Sequence, residues 1–239
     1  MPTVTANWNA KGVITSGLPG GPSYPLNSWF ATRAVQDGLV YQTVMSHAPQ
    51  LGQVVLSGRG SNSYRIGRVF GWVDVSAYAP NITGIDLNIP WGVNTGLNDF
   101  IICESFAFSN ATSTTLAGTD MAIGTSWDVN ITYSTQQTYT QNTVQTVTLN
   151  STAVSQANAS GVALNFIIID FDYDYQNFDP AFGGVPANYY GEFDYSLNAT
   201  ADITYTLPGY ANDVNGVASA DIGNVNGVAT ANISIINGI

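Results

Sequence analysis

The densest set of side chains able to do chemistry closes one hydrophobic run, Val162-Ala-Leu-Asn-Phe-Ile-Ile-Ile-Asp-Phe-Asp-Tyr-Asp174. Asp170, Asp172 and Asp174 recur at every second position, and Asp179 follows. Residues at that spacing share one face of an extended chain. Carboxylates turned the same way repel one another unless water or a hard cation lies between them, and Ca²⁺ takes several such oxygens. The pattern therefore predicts either a solvated acidic face or a calcium site on Asp170, Asp172, Asp174 and Asp179. The rings of Tyr173, Tyr175, Tyr189, Tyr190 and Tyr195 suit core or interface packing. Tyr173, Tyr175, Tyr189 and Tyr190 would alternatively make a platform on which sugar rings stack. Glu192 and Asp194, taken with Asp172 and Asp174, offer the two carboxylates a glycosidase needs, but nothing in the sequence fixes their separation.

Nucleophilic catalysis is poorly provided for. The single histidine, His47, sits in a turn-like Ser-His-Ala-Pro segment, so one chain does not assemble the usual nucleophile–histidine pair. The single cysteine, Cys103, lies within Phe-Ile-Ile-Cys-Glu, where a buried inert thiol is expected. One cysteine excludes an intramolecular disulfide and argues against a thiolate metal cluster. The expectation is a protein without catalysis that requires no cofactor, calcium being the one ion the pattern allows.

These residues need a scaffold, and composition names it. The chain has 239 residues, 45% of them hydrophobic and only 9% charged, with Asn, Thr, Ser, Gly and Tyr carrying the polarity. Gly, Asn and β-branched residues disfavour helix interiors, whereas Val, Ile, Thr, Tyr and Phe favour strands. Strand signals fall at Leu39–Met45, Gln53–Leu56, Tyr64–Val75, Ile85–Ile89, Phe100–Phe108, Trp127–Tyr133, Thr143–Leu149, Val162–Asp174, Tyr189–Tyr195 and Ala201–Leu207. Such spacing, broken by Gly, Asn and Pro, predicts an all-β antiparallel sandwich of jelly-roll type over residues 46–208, with Val162–Asp174 as its central strand. Residues 1–45, interrupted by Gly17-Leu-Pro-Gly-Gly-Pro22 and Pro25, read as an irregular arm, with one short helix at Ser28–Val35. A second helical turn is expected at Asn150–Ala159, capped by Ser151 or Thr152 and crossing one end of the sandwich.

Charge is divided unevenly. Residues 1–68 hold all five cations, Lys11, Arg33, Arg59, Arg65 and Arg68, and one acid, while residues 69–239 hold fifteen acids and no cation. So acidic a body repels phosphate, which argues against nucleic-acid binding. The arginines read as scattered surface residues. No apolar run reaches the length of a membrane span, and the start, Met-Pro-Thr-Val-Thr-Ala-Asn-Trp, does not read as a signal peptide. An Asn- and Thr-rich surface without a leader fits a virion protein assembled in host cytoplasm, or a secreted surface protein whose leader has been removed. Seven Asn-X-Ser/Thr sequons, at Asn81, Asn110, Asn130, Asn150, Asn158, Asn198 and Asn232, matter only in the second setting.

Several motifs carry a family resemblance. Arg68-Val-Phe-Gly-Trp-Val-Asp-Val-Ser76, Ile85-Asp-Leu-Asn-Ile89, the Thr-Val-Thr-Leu-Asn-Ser-Thr-Ala segment and Phe166 through Tyr175 together resemble the jelly-roll, carbohydrate-binding-module-like domains of phage fibre and surface proteins, over residues 60–207. Gly71 and Trp72 depart from the usual first motif.

The C-terminus is periodic: Val214-Asn-Gly-Val-Ala-Ser-Ala-Asp-Ile-Gly-Asn224 is followed by Val225-Asn-Gly-Val-Ala-Thr-Ala-Asn-Ile-Ser-Ile235 and the stub Ile236-Asn-Gly-Ile239. Val214, Val217, Ile222, Val225, Val228 and Ile233 would form a stripe on a helix of 11-residue period. The Asn-Gly pair near the start of each repeat favours short β-segments turning at Asn215, Asn226 and Asn237 instead. Similar Val-Asn-Gly-Val-Ala repeats end virion proteins of marine tailed phages. The resemblance implies a capsid-decoration or tail-appendage protein that assembles with its own copies, a trimer being favoured, and with other virion proteins. A glycan-binding adhesin module is the alternative, with surface glycans as partners.

Overall fold

A computed structural model describes residues 1–15, 39–41, 50–58, 61–97, 99–105, 131–176, 178, 189–194, 196–206, 224–225 and 228–229. The architecture is an all-β antiparallel sandwich, as the strand spacing predicts. Its strands are β1 (Thr3–Asn7), β2 (Ala10–Thr15), β3 (Leu39–Tyr41), β4 (Gln50–Gly58), β5 (Ser61–Asp74), β6 (Ile82–Thr95) and β7 (Asp99–Glu104). They continue through β8 (Gln137–Thr138), β9 (Thr143–Thr148), β10 (Ala163–Asp170), β11 (Tyr189–Phe193) and β12 (Thr200–Tyr205). These twelve form one hydrogen-bonded sheet in the order β1-β12-β6-β11-β4-β5-β10-β7-β8, with β2 joined to β5, β3 to β2 and β9 to β6.

The strand expected to be central is β10, which lies third from the β8 edge of the sheet, between β5 and β7, with Ile168 opposite both Val69 and Ile102. Alternation gives its neighbourhood two faces. On one, Val69, Val73, Leu164, Phe166, Ile168 and Ile102 join Ile85, Leu87, Ile89, Trp91, Val147 and Ile203 of the opposing strands in a single apolar core. Trp8 caps that core edge-on to Phe166, 4.7 Å between ring centroids. Gly71 explains the unusual first motif: a Cβ there would lie 2.6 Å from Phe166 Cζ and 2.9 Å from Trp8 Cε3, so only glycine leaves room for both rings.

The first fifteen residues are not irregular. Thr3-Val-Thr-Ala-Asn7 alternates in polarity and pairs along β12, Val4 opposite Ile203, while β2 pairs along β5 with Val13 opposite Val69. The Gly- and Pro-rich stretch that dominates a reading of residues 1–45 begins only after these two strands, and it lies outside the described residues, as does Ser28–Val35.

The expected helix is α1 (Ser151–Ser160), and its cap is Asn150 rather than Ser151 or Thr152. Asn150 Oδ1 accepts from the amides of Thr152 and Ala153 at 3.0 and 3.1 Å, and its Nδ2 donates to Thr132 O at 2.7 Å. A carboxamide can do both, a hydroxyl at the next position neither as well. Ala153 and Ala157 bury one face, and Asn158 pins the helix to β6 by bonding both the amide and the carbonyl of Ile82.

Candidate functional site

The acidic run does not continue as a strand. β10 ends at Asp170, and Phe171–Tyr175 wind into a single π-turn. The Gln176 amide donates to Phe171 O at 2.9 Å, and Asp170 Oδ1 accepts from the Tyr173 amide at 2.7 Å. The ladder of three outward carboxylates is thereby corrected: Asp170 and Asp174 are buried and Asp172 is half-buried.

The cause lies on β5. Arg68 alternates with Ile66, Phe70 and Trp72 on a buried face and is itself fully buried. A guanidinium there needs a counter-charge, because an unpaired buried ion costs several kcal/mol. The π-turn delivers one: Arg68 Nε donates to Asp174 Oδ2 at 2.6 Å and Nη2 to Asp174 Oδ1 at 2.8 Å, a bidentate pair with both side chains out of water. The reading of the arginines as surface residues fails for Arg68. The sequence did hold the signal, since period two places Arg68 in line with three large apolar neighbours.

Electrostatics around the pair are those of a low-dielectric interior. Burial pushes the Asp170 carboxyl up to about 7, and the charges of Asp174 and Asp172 add to the shift, against the hydrogen bond from Tyr173. Burial and the charge of Asp174 also raise the Cys103 thiol far above its ordinary range, so this buried residue is a poor nucleophile, as its apolar setting predicts. Burial raises Glu104 too.

The remaining sequence candidates are dispersed. Tyr175 stacks on Phe171 within the π-turn, ring centroids 5.5 Å apart, whereas Tyr189 and Tyr190 lie on β11, which pairs with β4 and β6. Of the glycosidase candidates, Asp174 is held by Arg68, and Asp194 Oδ1 accepts from Ser196 N and Oγ at 2.8 and 2.6 Å. No group of three or more His, Cys, Asp or Glu side chains is gathered to hold a metal among the described residues, and Asp179 lies outside them. No known family matches the chain, and no curated protein does. His47 and Tyr195 fall outside the described residues, and no helix among the described residues is long and apolar enough to cross a membrane.

At the C-terminus, β13 (Asn224–Val225) and β14 (Val228–Ala229) form an antiparallel pair with Val225 opposite Val228. The paired residues are thus in antiparallel β-structure and not in a helix; Asn226 and Gly227 lie outside the described residues. Val214, Val217, Ile222 and Ile233 lie outside the described residues.

Three polar features escaped the sequence reading. One is Arg68. Another is an open cleft beside the end of β1, lined by Asn7, Asn9, Asp74, Ser76 and Tyr78 with Ala6 and Ala77. The third is Tyr139, whose hydroxyl donates to Glu192 O at 3.1 Å and whose ring lies over Gly191, where a Cβ would stand 2.6 Å from its Cζ.

Proposed function

We propose that this chain is a non-enzymatic structural or accessory protein of a virion, a capsid decoration or tail appendage, that assembles with its own copies through residues 209–239. The observation that carries the reading is the antiparallel pairing of Val225 with Val228. Two and a fraction repeats of this length are too few to bury their own apolar residues, so stacking against a neighbouring copy is the simplest way to cover them. Closed symmetry favours a ring of identical chains, and three copies let each repeat line one side of a shared core. The sandwich suits such a part: its central strands are buried on both faces and its one described buried ion pair is fully engaged in packing. The virion setting is supported by the Asn- and Thr-rich, lysine-poor sequence and by its resemblance to phage appendage proteins.

Light scattering of the full chain and of a chain ending at residue 208 tests the assembly. The full chain is expected as an oligomer and the shortened one as a folded monomer. Sedimentation with purified particles tests the setting. A full-length monomer that also fails to sediment with particles overturns the reading.

A further inference from the structure

We propose that the cleft at the end of β1 is a binding site for a neutral saccharide, a role beyond assembly. Its wall is built before any ligand arrives. The Asp74 amide donates to Asn9 Oδ1 at 3.0 Å, the Ser76 amide donates to Asp74 Oδ1 at 2.8 Å, and the Asn9 amide donates to Trp72 O at 2.9 Å. These bonds fix Asn9 and Asp74 at the ends of two strands that are themselves locked into the sheet. The Tyr78 ring is held by Tyr205, 5.0 Å between centroids, and its amide donates to Val75 O.

What is left over faces outward. Asp74 Oδ2, Asn9 Nδ2, the Asn7 carboxamide and Ser76 Oγ make no hydrogen bond to the protein among the described residues, and Asn7, Asn9, Asp74 and Ser76 are exposed. One carboxylate oxygen, the whole carboxamide of Asn7, the amide NH₂ of Asn9 and a hydroxyl form a mixed set of acceptors and donors, which matches adjacent sugar hydroxyls, each of them both donor and acceptor. Ala6, Ala77 and the half-buried Tyr78 supply the apolar contact that a sugar's C–H face needs.

Other ligand classes fit worse. Among the described residues Asp74 is the only carboxylate lining the cleft, too few for a hard divalent cation that takes six or more oxygens. An anion would meet Asp74 and a chain of net charge −11. The cleft, about 320 Å³ and open, suits the end of a longer glycan better than an engulfed small molecule. A single shallow site of this kind binds weakly, with a Kd on the order of 1 mM, and several copies on one oligomer would raise the avidity without new contacts.

The test begins with a glycan array probed with the full chain. Any neutral hit is then titrated, as the free oligosaccharide, into ¹⁵N-labelled protein, with inorganic phosphate and calcium chloride as separate arms. Saturable shifts are expected at the amides of Asn9, Asp74, Ser76 and Ala77. Asp74→Asn keeps the acceptor for the Ser76 amide and replaces the free carboxylate oxygen with a donor, so it should weaken binding about tenfold. Asn7→Ala, at an exposed position, should weaken it less while leaving the melting temperature unchanged. The proposal is overturned by an array with no neutral hit, by shifts that cluster around Tyr173, Tyr175 and Tyr190 instead, by Asp74→Asn binding as well as the natural chain, or by phosphate or calcium alone reproducing the shifts.

Discussion

The two faces of the strands β5, β10 and β7 are both sealed from water, and they are sealed by opposite means. On one face Val69, Val73, Phe166, Ile168 and Ile102 meet the opposing strands, and Trp8 packs edge-on over the hollow that Gly71 leaves. Shape decides whether that face closes. On the other, Ile66, Phe70, Ile167 and Ile169 share a buried face with the Arg68 guanidinium, and closure waits for a carboxylate from the π-turn. Charge balance decides there. A shape-closed face resists filling, whereas a charge-closed face resists the loss of either partner and tolerates the loss of both.

The charge-closed face gives the largest expected effect. Arg68→Met removes the cation and leaves Asp174 buried without it, which should cost about 3–5 kcal/mol in urea unfolding. Asp174→Leu alone should cost a similar amount. The double variant Arg68→Met/Asp174→Leu should recover most of that loss, since it buries no unpaired charge. Additive single losses in the double variant would show that the pair is not the organising feature of this face.

The shape-closed face answers to a smaller change. Gly71→Ala adds one methyl group whose carbon would stand 2.6 Å from Phe166 Cζ. The ring must move, and Trp8, whose Cε3 would itself stand 2.9 Å from the new carbon, leaves little free space, so a cost of about 1–3 kcal/mol is expected. Thermal unfolding checks this, and near-ultraviolet circular dichroism should report the displaced rings. A neutral Gly71→Ala would mean that this face is packed more loosely than the ring geometry implies.

Legibility in the sequence followed the same division. The strand signals fell on β3, β4, β5, β6, β7, β9, β10, β11 and β12, because shape closure leaves an apolar, β-branched and aromatic trace along a strand. Period two, carried past Asp170, produced a ladder that does not exist. Alternation of Asp with aromatics is compatible with a strand and with a turn, and the choice was made by Arg68, about a hundred residues away in sequence. The cleft was illegible for a related reason: Asn9 and Asp74 are ordinary turn residues until the pairing of β2 with β5 brings them together. The pairing of Val225 with Val228 was readable because a hairpin is local.

The smallest expected effect lies at the junction of the two faces, where Asp170 is both the last residue of β10 and the cap of the π-turn. Burial, with the charges of Asp174 and Asp172 behind it, lifts this carboxyl from an ordinary 3.8 to about 7. The folded chain therefore holds a proton that the unfolded chain has released, and the stability from Asp170 is fully present below about 3.8 and lost as pH rises through about 7. One proton changes stability by at most ~1.4 kcal/mol per pH unit, so the step from pH 6 to 7 is smaller than that. Asp170→Asn preserves an oxygen to accept from the Tyr173 amide and cannot titrate. Glu104, also raised by burial, slopes the same way in both chains, so the difference between them isolates Asp170. Urea midpoints of the natural chain should fall from pH 5 to pH 8 more steeply than those of Asp170→Asn, which should be the more stable of the two at pH 8. Parallel curves would show that Asp170 is solvated and that the two faces meet at an ordinary, water-exposed turn.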